Sequence, residues 1–104
     1  MLDNNAWFND LLAWYGSLLT DNQFNIMQNY YGDDLSLAEI AENNGVSRAA
    51  IQQTIKRSEE LLENYENKLN VVKKFKLRRK QYDKLKRLNI EEVAEIVLQL
   101  EKIE

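Results

Sequence analysis

The chain has 104 residues, 14 of them Lys or Arg and 17 Asp or Glu, and contains neither Cys nor His. That length suits one domain with some decoration, and the missing residue types exclude thiolate and imidazole metal sites, a Cys nucleophile and an imidazole base. Proline is absent, glycine stands only at positions 16, 32 and 45, and 30% of residues are charged, which predicts an all-α protein.

A first helix is expected over Asn5–Leu18, where Trp7, Phe8, Leu11, Leu12, Trp14, Tyr15, Leu18 and Leu19 form an apolar stripe wider than one packed face requires. Gly16 lowers helix propensity there, and a close backbone approach would explain it. Thr20 and Gln23 have capping-box spacing and open a second helix. Phe24, Met27, Tyr30 and Tyr31 lie on one side of it, and Gly32 is expected to close it.

Residues 34–62 read DLSLAEIAENNGVSRAAIQQTIKRSEELL. Ser36 and Glu39 form a second capping box, with Leu37, Ile40 and Ala41 as the buried stripe of a short helix. Gly45 supplies a positive-φ turn, and Val46 is expected to plug the corner. Ser47 caps a longer helix with Ala50, Ile51, Ile55, Ser58 and Leu62 on its packed face. This is a helix-turn-helix, a device that places its second helix in the DNA major groove. Apolar positions 55, 62, 65, 69 and 72 keep heptad-like spacing, but Phe75, Tyr82, Leu85 and Leu88 shift phase, so a break is expected near Asn70. Asn89 and Glu92 have capping-box spacing for a last helix with Ile90, Val93, Ile96, Val97, Leu100 and Ile103 on a broad apolar face.

Charge is segregated: the balance is −8 over residues 1–67, +9 over 68–88 and −4 over 89–104. A basic segment inside an acidic protein attracts phosphates, and Lys73, Lys74, Lys76, Arg78, Arg79, Lys80 and Lys84 are the candidate nucleic-acid patch. The competing reading is that this helix docks on the acidic amino-terminal half. Val72, Phe75, Tyr82 and Leu85 are left to pack, which falls short of the continuous apolar side that a membrane-surface helix buries. No run approaches the roughly 20 apolar residues that span a bilayer, and MLDNNAWFND lacks the basic stretch of a signal peptide. The expectation is a cytoplasmic chain without membrane insertion.

Leu18-Leu19-Thr20 with Gln23, Tyr30-Tyr31 and LSLAEIAENNGVSRAAIQQTIKRSEELL resemble the region-four DNA-binding domain of bacterial sigma factors. The aromatic start FNDLLAWYGSLLT, YYGDDLSLAEIAE, VSRAAIQQTIKRSEELLENYENKL and VVKKFKLRRKQYDKL carry a resemblance to the YlxM family over nearly the whole chain. Those are small helix-turn-helix proteins encoded beside signal recognition particle genes in Gram-positive bacteria and mollicutes. The resemblance implies one domain over 1–104, with a three- to four-helix helix-turn-helix core over 1–66 and further C-terminal helices over 67–104. It also implies a DNA-binding regulatory protein connected with the signal recognition particle pathway.

Region-four roles fall on Arg48, Ala49, Gln52 and Gln53 for base reading, with Ser47 and Lys56 or Arg57 near phosphates. Arg suits guanine and Gln suits adenine by paired hydrogen bonds, although Ala49 and Ala50 replace the long polar readers usual there. The alternative is an RNA- or protein-binding adaptor of the targeting machinery that keeps the motif as a scaffold. DNA is the first expected partner, signal recognition particle RNA or protein the second. The apolar excess of the terminal helices, at Trp7, Trp14, Ile96, Val97 and Ile103, implies a homodimer; the last helix folding back on the first is the alternative. Asp33-Asp34, Glu59-Glu60 and Glu91-Glu92 are sequential pairs that a helix points apart, and no phosphate-cradling glycine loop is present. Neither enzymatic activity nor a cofactor or metal is expected.

Overall fold

A computed structural model describes residues 4–104. The described residues form helices and turns without strands, so the expected all-α class holds. They divide into two compact units, one ending at Val72 and one covering Lys73–Glu104.

In the first unit, α1 (Asn4–Tyr15) runs into a tight turn at Gly16–Leu18. A Cβ on Gly16 would lie 2.7 Å from the Phe24 ring. The glycine therefore answers to a side chain, where a backbone approach was expected. Thr20 opens α2 (Asp21–Met27) with the expected capping box, Thr20 Oγ1 accepting from the Gln23 amide at 3.1 Å and Gln23 Oε1 from the Thr20 amide at 3.1 Å. The helix widens over Gln28–Gly32 into i→i+5 bonding, the Asp33 amide donating to the Gln28 carbonyl at 2.9 Å. Gly32 does not supply the left-handed exit; Asp34 does, at φ 58°.

Ser36 and Glu39 form the box that opens α3 (Leu37–Asn44), with bonds of 3.1 and 3.2 Å. Gly45 sits at φ 65°. The Val46 amide reaches back to the Ala41 carbonyl at 3.1 Å, so backbone bonds close the turn. The Val46 side chain is 47% exposed and does not plug the corner as expected.

Ser47 then caps α4 (Arg48–Leu69) by accepting from the Ala50 amide at 3.1 Å. Ile51, Ile55, Ser58, Leu62 and Glu66 make its buried stripe. Ala50, expected in that stripe, is exposed. α4 packs against α1, α2 and α3. The core joins Phe8, Leu11, Leu12, Tyr15, Leu19, Ile26, Met27, Tyr31, Ile40, Ile51, Ile55, Leu62 and Val72, and Trp7 and Trp14 pack partly buried against it. Ring stacking of Phe8 on Tyr31, with centroids 5.1 Å apart, ties α1 to the end of α2.

α4 ends at Asn70, in the left-handed region at φ 55°, which is the expected break. The next two amides belong to the start of α5 (Val71–Lys86) and would be unsatisfied at a helix start. Tyr15 Oη accepts from the Val71 amide at 3.1 Å, and Glu66 Oε1 accepts from the Val72 amide at 3.0 Å. Tyr15 in turn donates to Glu66 at 2.5 Å. Burial, then the Glu66 hydrogen bond, pushes the Tyr15 hydroxyl above its ordinary pKa.

In the second unit, the remainder of α5 and α6 (Glu91–Ile103) are joined by a turn in which Asn89 is left-handed at φ 57°. Ile90 occupies the cap position and no side chain caps α6, so the expected Asn89–Glu92 box does not form. Tyr82 and Val97 are buried. Tyr82 Oη donates to Glu104 Oε1 at 2.5 Å, and Arg78 Nε meets the same oxygen at 2.7 Å. Glu101 takes Lys86 at 2.9 Å and Arg79 at 3.2 Å. Leu85, expected to pack, is exposed together with Leu77 and Leu88, and α6 leaves Ile96, Leu100 and Ile103 exposed.

Candidate nucleic-acid interface

The helix-turn-helix orients α4 through two capped starts and one glycine turn. Since Ile51, Ile55, Ser58 and Leu62 are fixed in the core, the positions on the other side of the helix face outward. Arg48, Ala49, Gln52, Gln53, Lys56 and Arg57 are all exposed, and so is the cap residue Ser47. Every candidate base- or phosphate-contacting position therefore lies at the surface of the first two turns of α4 and the turn that follows. Gln53 and Arg57 line one shallow groove with Ala50 and Thr54, of about 320 Å³. Gln52 and Lys56 line another of about 340 Å³ with Tyr30, Leu37, Ile55 and Glu59.

That second groove was not evident from periodicity, because Tyr30 reaches it from a different helix. One of its lining residues, Glu59, accepts a short hydrogen bond from Tyr31. Burial raises the Tyr31 hydroxyl pKa most, followed by the Glu59 hydrogen bond and charge, with Tyr30 and Glu63 adding to it. Glu59 thus stands one helical turn beyond Lys56, and its carboxylate opposes phosphate approach on this flank. The opposite flank, with Gln53 and Arg57, lacks such a carboxylate among its lining residues.

The basic patch candidates are split by α6. Arg78 and Arg79 are held by Glu104 and Glu101, and Arg79 also lies over the Phe75 ring at 5.6 Å. Lys73, Lys74, Lys76, Lys80 and Lys84 are exposed, as is Arg87 at the end of the basic segment. The carboxylates that meet this helix inside its own unit come from α6. The bond from Tyr82 does most to hold the Glu104 carboxyl below its ordinary pKa; burial is the next largest effect and opposes it, and the bond and charge of Arg78, with the charge of Arg79, add to the lowering. No cluster of carboxylates among the described residues could hold a metal ion. No helix among them is long and apolar enough to cross a membrane.

The buried Glu66 escaped sequence reasoning. Its signal was a carboxylate four residues after Leu62, continuing the 51, 55, 58, 62 stripe.

Comparison with known proteins places these features in company. A family profile described as "Putative helix-turn-helix protein, YlxM / p13 like" matches residues 2–102. The chain is 46% identical to a UPF0122 protein of Anoxybacillus flavithermus, over 100% of each chain. It is 44% identical to UPF0122 protein YlxM of Bacillus subtilis, covering 99% of this chain and 98% of that one. A UPF0122 protein of Malacoplasma penetrans is 49% identical over 77% of this chain and 75% of its own.

Proposed function

The chain belongs to the YlxM / p13-like helix-turn-helix family, and from that premise we propose that it is a cytoplasmic, non-enzymatic DNA-binding regulatory protein that reads bases through α4. The observation that carries the proposal is the exposed row Arg48, Gln52 and Gln53 on a helix whose start is fixed by the Ser47 cap and the Gly45 turn. Arg48 would bond a guanine edge, Gln52 and Gln53 adenine edges, while Ser47, Lys56 and Arg57 would hold phosphates. Ala49 leaves room for a thymine methyl group.

A second reading is favoured by one observation, the acidity of the chain before Lys68, which weakens the field any duplex would meet at α4. In it the motif is a scaffold, and the chain is an RNA- or protein-binding adaptor of the signal recognition particle machinery. In either role we propose a homodimer, with the exposed face of α6 as the contact.

Selection of duplexes from a random library tests the first reading. Arg48→Ala and Gln53→Ala should each weaken binding to the selected duplex by about 1–3 kcal/mol, with thermal stability changed by less than about 0.5 kcal/mol. Equal affinity of variant and wild type for that duplex eliminates base reading by α4. Sequencing the nucleic acid crosslinked to the chain in cells separates the two roles, promoter DNA supporting one and signal recognition particle RNA the other.

A further inference from the structure

Within the second unit, most of the bases of α5 (Lys74 apart), with Arg87 just beyond its end, fall into two sets that the sequence alone mixes together. Arg78, Arg79 and Lys86 point towards α6, where Glu101 and Glu104 take them. Lys73, Lys76, Lys80, Lys84 and Arg87 follow one another at intervals of three, four, four and three residues, and all are exposed. At about 100° per residue these five fall within an arc of about 80°, turned well away from the side that meets α6. They make a straight cationic line about 21 Å long, with steps of about 4.5 to 6 Å along the axis. Among the described residues, no ion pair engages Lys80, Lys84 or Arg87. Asp83 is the one carboxylate on α5, at the edge of the line.

We propose that this line is a track for a phosphodiester backbone, contacted independently of base sequence and independently of α4. Three physical points converge on a nucleic-acid strand. A single file of charge matches a polymer with phosphates at regular intervals, and the part of the line from Lys80 to Arg87, about 10.5 Å, runs beside about three successive phosphates of one B-form strand. Long, flexible lysine stems tolerate any base sequence, since they offer point charges without paired hydrogen-bond geometry. A membrane would need a continuous apolar face on the same helix, but here Tyr82 and Arg78 are taken up by Glu104, and the exposed Leu77, Leu85 and Leu88 are interrupted by the exposed polar residues Gln81 and Lys84. α6 has a definite part in this arrangement: its carboxylates cancel the bases on the inner side, so the field of the helix is concentrated on its outer line.

The test uses the full chain with Lys80→Gln, Lys84→Gln and Arg87→Gln combined. Binding to poly-uridine, to an RNA hairpin and to a mixed-sequence DNA duplex is titrated over a range of salt concentrations. Each lost phosphate contact should flatten the log–log salt slope by about 0.7 on single strands and about 0.9 on duplex, so the triple variant should lose about two to three units of slope on its preferred probe. The preferred probe identifies single-stranded RNA, folded RNA or DNA as the source of the phosphates. Arg78→Gln with Arg79→Gln should leave the slope nearly unchanged. Gln53→Ala removes no charge and should preserve the slope even where it abolishes selectivity for a duplex, which keeps failure of the track apart from failure of base reading by α4. An unchanged slope in the triple variant on all three probes overturns the proposal. So does absence of wild-type binding at low salt, or a triple-variant defect seen only with vesicles of equal parts phosphatidylcholine and phosphatidylserine. Unchanged helical circular dichroism and melting of the variant confirm that it folds.

Discussion

Tyr15 and Glu66 are separated by 51 positions and share one short hydrogen bond inside the first unit. A carboxylate with 6% exposure is costly unless its oxygens are satisfied. Here the tyrosine hydroxyl and the Val72 amide satisfy Oε1, and the same hydroxyl accepts from Val71. Tyr15→Phe keeps the ring but leaves the Val71 amide and part of Glu66 without these partners, so it should destabilise by about 1–3 kcal/mol in denaturant unfolding. The pH response has a definite sign. The folded Tyr15 and Tyr31 hydroxyls both titrate above their ordinary value, burial being the leading cause in each. Their contribution is therefore fully present below about pH 10, where unfolded tyrosine holds its proton, and is lost as pH rises through the folded values. Stability should fall steeply on the alkaline side, and Tyr31→Phe should flatten that fall; an identical alkaline profile in the variant would refute the assignment.

At the scale of helices, the decisive feature is where each stops. α4 continues for 22 residues through acidic and basic stretches alike, and ends where Asn70 turns left-handed. A β-branched residue in that conformation is strained by about 1–2 kcal/mol, whereas glycine is not. Asn70→Val should lower the melting temperature, and Asn70→Gly should leave it near wild type. If both variants melt alike, the break is maintained by the Tyr15–Glu66 bonds alone. The start of α6 contrasts with this. It lacks a side-chain cap and relies on Glu91 and Glu92 in its first turn, which interact favourably with the helix dipole.

At the scale of the molecule, the two units differ in what they leave exposed. The first absorbs its aromatic residues: Trp7 and Trp14, expected at a contact between copies, pack on the core instead. The second leaves Ile96 61% and Ile103 81% exposed on α6. With Val93 and Leu100 these positions have the three-and-four spacing of a helix-pairing seam. An antiparallel pair of α6 helices would bring Glu95 of each near Lys102 of the other, while a parallel pair would crowd Glu91, Glu92 and Glu95 against their own copies. The proposed dimer predicts that Ile96→Glu with Ile103→Glu sediments as a monomer at concentrations where wild type is dimeric. A wild-type chain that is already monomeric at high micromolar concentration refutes it.

What the sequence determined by itself was local. The Thr20–Gln23 and Ser36–Glu39 boxes, the Ser47 cap and the Gly45 turn all depend on residues within a few positions of one another, so spacing sufficed to read them, and the break at Asn70 followed from the phase shift of the apolar positions along the chain. The outward face of α4, and with it the candidate site, followed from the same period. Tertiary structure decided what depends on distant partners. It assigned Gly16 to the Phe24 ring and sank Glu66 beside Tyr15. It exposed Val46 and Ala50, left the Asn89–Glu92 spacing without a box, and gave Arg78, Arg79 and Lys86 to the carboxylates of α6. A helical period fixes which residues share a face, but which face meets an aromatic ring, a carboxylate or water is set only when other elements pack against it.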